Sequence, residues 1–214
     1  MRPGPRDQFA ALLPIEERVL GPEHPRTLVT RSHLAWSYQE AGDAAGARDQ
    51  FAALLPITEH VLGPEHPRTL LTRHDVAYST GEAGDAAEAR DQLAALLLIY
   101  ARVLGPEHPN TLLARHHLAR FTGEAGDAAE ARDQLAALLP IRERVLGPNH
   151  PRTLDTRGDL ARFTGEAGDA AEARDQFAAL LPIREQVSGP EHPDTLTTGA
   201  NLAYWTREAD HGRN

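Results

Sequence analysis

Apolar residues recur at helical spacing along the chain. Between Ala44 and Leu62 they fall at Ala47, Phe51, Leu54, Leu55, Val61 and Leu62, a one-sided pattern that predicts an amphipathic helix, called B. The stretch before it carries Leu28, Leu34, Ala35 and Tyr38 and predicts a second type, A. Punctuation agrees with both. Gly42-Asp43, Gly84-Asp85, Gly126-Asp127 and Gly168-Asp169 set a glycine suited to the left-handed C′ position directly before an N-cap aspartate, so A ends and B begins. Glu88, Glu130 and Glu172 each follow that aspartate by three residues and predict capping-box-like pairs, with Gly46 in the first copy. Helix B stops at Gly63-Pro64, Gly105-Pro106, Gly147-Pro148 and Gly189-Pro190. Pro67 and its equivalents then open helix A, where a missing N–H costs nothing. Pro14, Pro56, Pro140 and Pro182 fall inside B and predict a bend or break there, whereas Leu98 predicts a straighter third B helix.

The pattern is periodic. His24, His66, His108, His150 and His192, each before a proline, lie 42 residues apart. Units starting at about Arg6, Arg48, Arg90, Arg132 and Arg174 make residues 1–214 a single array and leave no room for a separate catalytic domain. The fold class expected is all-α.

These residues resemble the tetratricopeptide repeat family, in the 42-residue form of kinesin light chains and bacterial signalling proteins. The likeness is carried by Leu34-Ala35, Val76-Ala77, Leu118-Ala119, Leu160-Ala161 and Leu202-Ala203 in A, by the Gly-Asp turn, and by an alanine then an aromatic or leucine in B. It implies a right-handed α-solenoid superhelix of five helix-turn-helix repeats, with A lining a concave groove that takes peptides or proteins. Stacking is needed on physical grounds too, since a lone hairpin cannot bury its apolar face. The long-repeat family often has asparagine just before the Leu-Ala pair. Here His33, Asp75, His117, Asp159 and Asn201 stand there, so one position matches.

Composition narrows the chemistry. The 214 residues contain 22 basic side chains, all arginine, against 31 acidic ones, a net charge of −9. Without lysine, P-loop, Schiff-base and pyridoxal chemistry is excluded. Without cysteine, so are thiol nucleophiles, thiolate metal sites and disulfides. The acidic balance argues against nucleic acid as a partner. The longest apolar run, Leu93 to Ala101, is too short for a membrane span, and the first residues contain no signal-peptide core, so no membrane partner and a cytoplasmic setting are expected. Arginine without lysine, beside abundant Ala, Gly and Pro, suggests a high-GC bacterial source.

No catalytic motif stands out, and the chain is expected not to be an enzyme and to need no cofactor. Metal binding is not expected either. Equivalent histidines in stacked repeats lie on the order of 10 Å apart, and His116 and His117 diverge by about 100° on a helix. Recognition is better sought where units differ. Phasing A on the Leu-Ala pair gives one inward stripe: Val29, Ser32, His33, Trp36; Leu71, His74, Asp75, Tyr78; Leu113, His116, His117, Arg120; Asp155, Gly158, Asp159, Arg162; Thr197, Ala200, Asn201, Tyr204. The candidate ligand-binding residues in this set are His33, Trp36, His74, Asp75, Tyr78, His116, His117, Arg120, Asp159, Arg162, Asn201 and Tyr204. Aromatic residues flank a middle with Arg120 and Arg162. Those arginines either clamp a ligand carboxylate or pair with Glu124 and Glu166, with Asp159 also near Arg162.

Two functional readings follow. The first is a noncatalytic scaffold holding a peptide or partner segment in the groove. The second is a structural or regulatory array that self-associates head to tail or packs on the NTPase domain of a larger signalling protein. The chain opens on a B helix and closes on an A helix followed by residues 209–214. Leu196, Leu202 and Trp205 at one end and Phe9, Leu12 and Leu13 at the other are expected to be uncovered.

Overall fold

The computed structural model describes residues 4–211. Ten helices run through them: α1 Pro5–Leu20, α2 Pro25–Glu40, α3 Ala44–Leu62, α4 Pro67–Glu82, α5 Ala86–Val103, α6 Pro109–Glu124, α7 Ala128–Leu146, α8 Pro151–Glu166, α9 Ala170–Ser188 and α10 Pro193–His211. Even-numbered helices are type A and odd-numbered ones type B, with no strand among the described residues. None of these helices is long and apolar enough to cross a membrane.

Local chemistry sets the helix ends. At each A helix the preceding histidine is the cap: Nδ1 of His24, His66, His108, His150 and His192 accepts the backbone N–H two residues on, at 3.1 to 3.2 Å. At each B helix, Asp43, Asp85, Asp127 and Asp169 accept the N–H of Gly46, Glu88, Glu130 and Glu172 at 2.9 to 3.2 Å. The expected capping boxes form only this half. The N–H groups of Asp85, Asp127 and Asp169 go to the carbonyls of Thr80, Thr122 and Thr164, and the three glutamates instead accept from Gln92, Gln134 and Gln176. Gly46 has its own reason. A Cβ there would lie 2.6 Å from Cδ1 of Tyr38, whose ring also carries the Arg6 guanidinium at 3.7 Å.

The helix-interior prolines do not break their helices. Helices α1, α3, α7 and α9 run uninterrupted through Pro14, Pro56, Pro140 and Pro182. Each proline is exposed, as are Ala10, Ala52, Ala136 and Ala178, four residues earlier, whose carbonyls lose their donor. Water can satisfy those carbonyls, so the helix survives. Leu98, at the same place in α5, is likewise exposed.

The described residues form two compact units, divided within α6 after Ala114. In the first, α1 packs on α2, α2 on α3, α3 on α4 and α4 on α5. Its buried seam runs through Leu28, Leu34, Ala35, Ala47, Phe51 and Leu54, then Leu70, Ala77, Ala89 and Leu93. In the second, α7 packs on α8, α8 on α9 and α9 on α10. Its core holds Ala119, Ala131, Leu135 and Phe163, then Leu154, Ala161, Phe177, Leu180 and Trp205.

A second seam in this unit joins successive A helices. Phe163 of α8 lies where a Cβ on Gly123 of α6 would be, 2.0 Å from its ring, and Trp205 of α10 sits on Gly165 of α8 in the same way, at 2.5 Å. At the α2–α4 contact of the first unit the corresponding pair is Gln39 and Ser79. Trp205 is therefore 7% exposed, not an uncovered residue as expected, whereas Leu196 stands 60% exposed. Gly212 to Asn214, part of that expected end, lie outside the described residues. This seam is testable. Gly123→Ala should cost about 2 kcal/mol by overpacking against Phe163. In a Phe163→Ala background the same change should be near neutral, because alanine then supplies helix propensity without a clash. Urea-unfolding midpoints of the four-member cycle measure the difference.

Candidate functional site

The divergent stripe is built on α2 and α4 in the first unit. His33 is exposed and Trp36 and Tyr78 are half-buried, but His74 and Asp75 lie at 2% and 4% exposure. Asp75 accepts from the Trp36 indole and pairs with His74 Nδ1 at 3.3 Å. Burial dominates, and it raises the Asp75 carboxyl above the ordinary aspartate range against the pull of His74 and Trp36. The aromatic groups form a connected set. Trp36 meets Phe51 edge-on at 5.5 Å and Tyr78 at 6.1 Å, and His74 stacks on Tyr78 at 6.5 Å. Two recesses border Trp36 and His33. One, of about 440 Å³, also touches Asp75, Arg68 and Leu71; the other, of about 360 Å³, touches Phe9 and Glu40.

In the second unit the stripe is an ion-pair lattice. His116 is buried and its Nε2 lies 3.2 Å from Asp159. Arg162 reaches Glu124 at 3.6 Å, Asp159 at 3.7 Å and Glu166 at 3.5 Å, and Arg120 Nε donates to Glu124 at 2.8 Å. Of the two expected roles for these arginines, pairing with neighbouring acids is the one the structure displays. Burial pushes Asp159 up, but the His116 hydrogen bond and the charges of His116, Arg162 and Arg120 outweigh it and leave the carboxyl low. Glu166 is raised instead, by burial and by Glu124 and Asp159, against Arg162. His117 is half-buried, 5.6 Å from the His116 ring and 6.5 Å from Phe121. On α10, Asn201 is half-buried and Tyr204 exposed, its ring edge-on to Trp205 at 4.8 Å. Trp36, His74, Asp75 and Tyr78 thus meet in the first unit and His116, Arg120, Asp159 and Arg162 in the second, with His74, Asp75 and His116 buried.

A second variable position escaped the phasing on helix A. Glu16, Thr58, Tyr100, Arg142 and Arg184 share one place in the B helices, and all are buried. Glu16 pairs with Arg26 and accepts from Thr30, both at 2.6 Å. Arg142 donates to Thr156 Oγ1 at 2.6 Å and to the Arg152 carbonyl at 2.7 Å, and burial brings its guanidinium down to about 10. Arg184 bridges Asp155 of α8 and Asp194 of α10 at 3.0 and 3.4 Å. The signal was available, because chemistry changes at this B-helix position while the residues three and four before it are leucine in every copy.

The tetratricopeptide repeat family models match residues 77–143 and 114–186, and a further one matches 27–68. The chain belongs to the tetratricopeptide repeat family. Its likeness to solved kinesin-light-chain repeats puts it in the kinesin-light-chain-like subclass. Among solved structures, the nearly identical TPR-like repeats of a putative kinesin light chain from Podosopora anserina are 28% identical, with 85% of this chain and 86% of that one covered and a TM-score of 0.66. BtubC (BKLC) from P. vanneervenii is 19% identical over 96% and 83%, with a TM-score of 0.77. A Rap protein complexed with competence and sporulation factor is 11% identical over 100% and 63%, with a TM-score of 0.72. The last two share the fold. No curated protein matches this tetratricopeptide repeat chain.

Asp75 and Asp159 occupy the same repeat position with opposite electrostatics, and pH separates them. A raised carboxyl favours the fold most below the unfolded value of about 3.9 and loses that advantage as pH rises through the folded value. Asp75→Asn should therefore raise the thermal midpoint at pH 7, with the gain vanishing towards pH 3. A lowered carboxyl stabilises above the unfolded value and loses this as pH falls through the folded one. Asp159→Asn should lower the midpoint at pH 7, with the deficit closing in strong acid. Thermal melts of both variants across pH 3 to 7 give the two slopes.

Proposed function

We propose that this chain is a noncatalytic, cytoplasmic protein-interaction scaffold that holds an extended peptide or a partner's segment along the A-helix stripe. The observation that carries this reading is Trp36, a half-buried indole bordering two recesses on the A-helix stripe where the repeats diverge. A large, rigid aromatic group set beside open space of side-chain size is the usual anchor of a binding surface. Family membership supports the reading, since tetratricopeptide repeats are generally interaction scaffolds. Arg120 and Arg162 are weaker anchors, because a ligand carboxylate would compete with Glu124, Asp159 and Glu166 for them. Selection from an unbiased displayed-peptide library against the full chain tests this. Enriched peptides should lose roughly thirtyfold affinity or more with Trp36→Ala, the scale of a buried aromatic anchor, and only about two- to threefold with Arg120→Ala. A library yielding no peptide sensitive to Trp36 contradicts the proposal.

A further inference from the structure

We propose that the recess between α2 and α4 receives a basic side chain, lysine or arginine, of the bound peptide, with the cation against the Asp75 carboxylate and the Trp36 ring. The inference rests on the groove reading above and adds the chemistry of its occupant.

Three features support a cation. First, carboxylates stand on both sides of one indole: Asp75 touches the larger recess and Glu40 the smaller, and Trp36 borders both. A tryptophan face attracts cations most strongly of the aromatic side chains, and a carboxylate beside it adds a charge-assisted hydrogen bond. Second, the ring is set before any ligand arrives. Phe51 meets Trp36 edge-on, Tyr78 flanks it, and its N–H is held by Asp75, so little side-chain freedom remains to be lost on binding. Third, Asp75 lines the recess while largely withdrawn from bulk water, a setting in which attraction between opposite charges is least screened, and a cation there competes with the His74 ring, 3.3 Å from the carboxyl, and the Trp36 N–H. The net charge of −9 also favours approach by a cationic partner.

Arg68 borders the same recess and opposes a cation near itself. It precedes Asp75 by seven residues on α4, about 10 Å along the axis, so the two charges mark opposite ends. The second unit offers no equivalent. There the same position, Asp159, already faces His116 and Arg162.

The test uses the full chain and fluorescein-labelled pentapeptide pools with arginine, lysine, citrulline or glutamate at the centre and the flanking residues randomised. Fluorescence anisotropy should show the arginine and lysine pools binding at least about tenfold tighter than the citrulline or glutamate pools, a difference of roughly 1.4 kcal/mol. Asp75→Asn should shrink that preference to less than about threefold with unchanged circular dichroism, and Trp36→Leu should weaken all pools. Full arginine preference in Asp75→Asn, or tightest binding by the glutamate pool, overturns the proposal. A citrulline pool that equals arginine yet depends on Trp36 removes the cation and leaves the groove standing. Failure of every pool removes both.

Discussion

Everything in this chain depends on helices approaching closely enough to bury what a single hairpin leaves open. Helices α2, α4, α6 and α8 each pack on a B helix through a completely buried alanine, Ala35, Ala77, Ala119 or Ala161, and a larger side chain there would hold the axes apart. In the second unit the approach of successive A helices is set by a ring entering a glycine, Phe163 on Gly123 and Trp205 on Gly165. Those contacts place the A-helix faces side by side, so stripe residues 42 apart in sequence can meet.

The scaffold keeps its caps and seams nearly constant and concentrates chemical variety at two buried or half-buried positions. One is the place of Asp75 and Asp159. The other is the B-helix place of Glu16, Tyr100, Arg142 and Arg184. Because both lie at helix contacts, a change at either alters its neighbours. Asp159 answers to His116 of α6 and to Arg162 one turn along its own helix, and Arg184 to acids on α8 and α10. The aromatic recess in the first unit and the compensated arginines in the second are two outcomes of the same frame.

Most of the fold was legible in the sequence because it is written in short-range signals. Helix type, turn positions and the 42-residue period came from spacing, glycine, proline and cap residues. The errors were local too. Helix-interior prolines suggested a bend or break, yet the helices run unbroken through them, at exposed positions where water can reach the unpaired carbonyls. The Asp-to-Glu spacing predicted capping-box-like pairs, of which the aspartate half forms, while a threonine carbonyl four residues before the glycine takes the aspartate's N–H.

The sequence by itself determined ten helices, their order and which face of each is apolar, since each rests on interactions within a few residues. It also located the divergent stripe. Tertiary structure alone decided what the stripe residues do: that Asp75 is buried beside an indole while Asp159 is held by His116, and that Trp205 packs on Gly165. Those outcomes turn on partners about 40 residues away, and on burial that changes both the strength of a charge and the space for a ring, neither of which local spacing encodes.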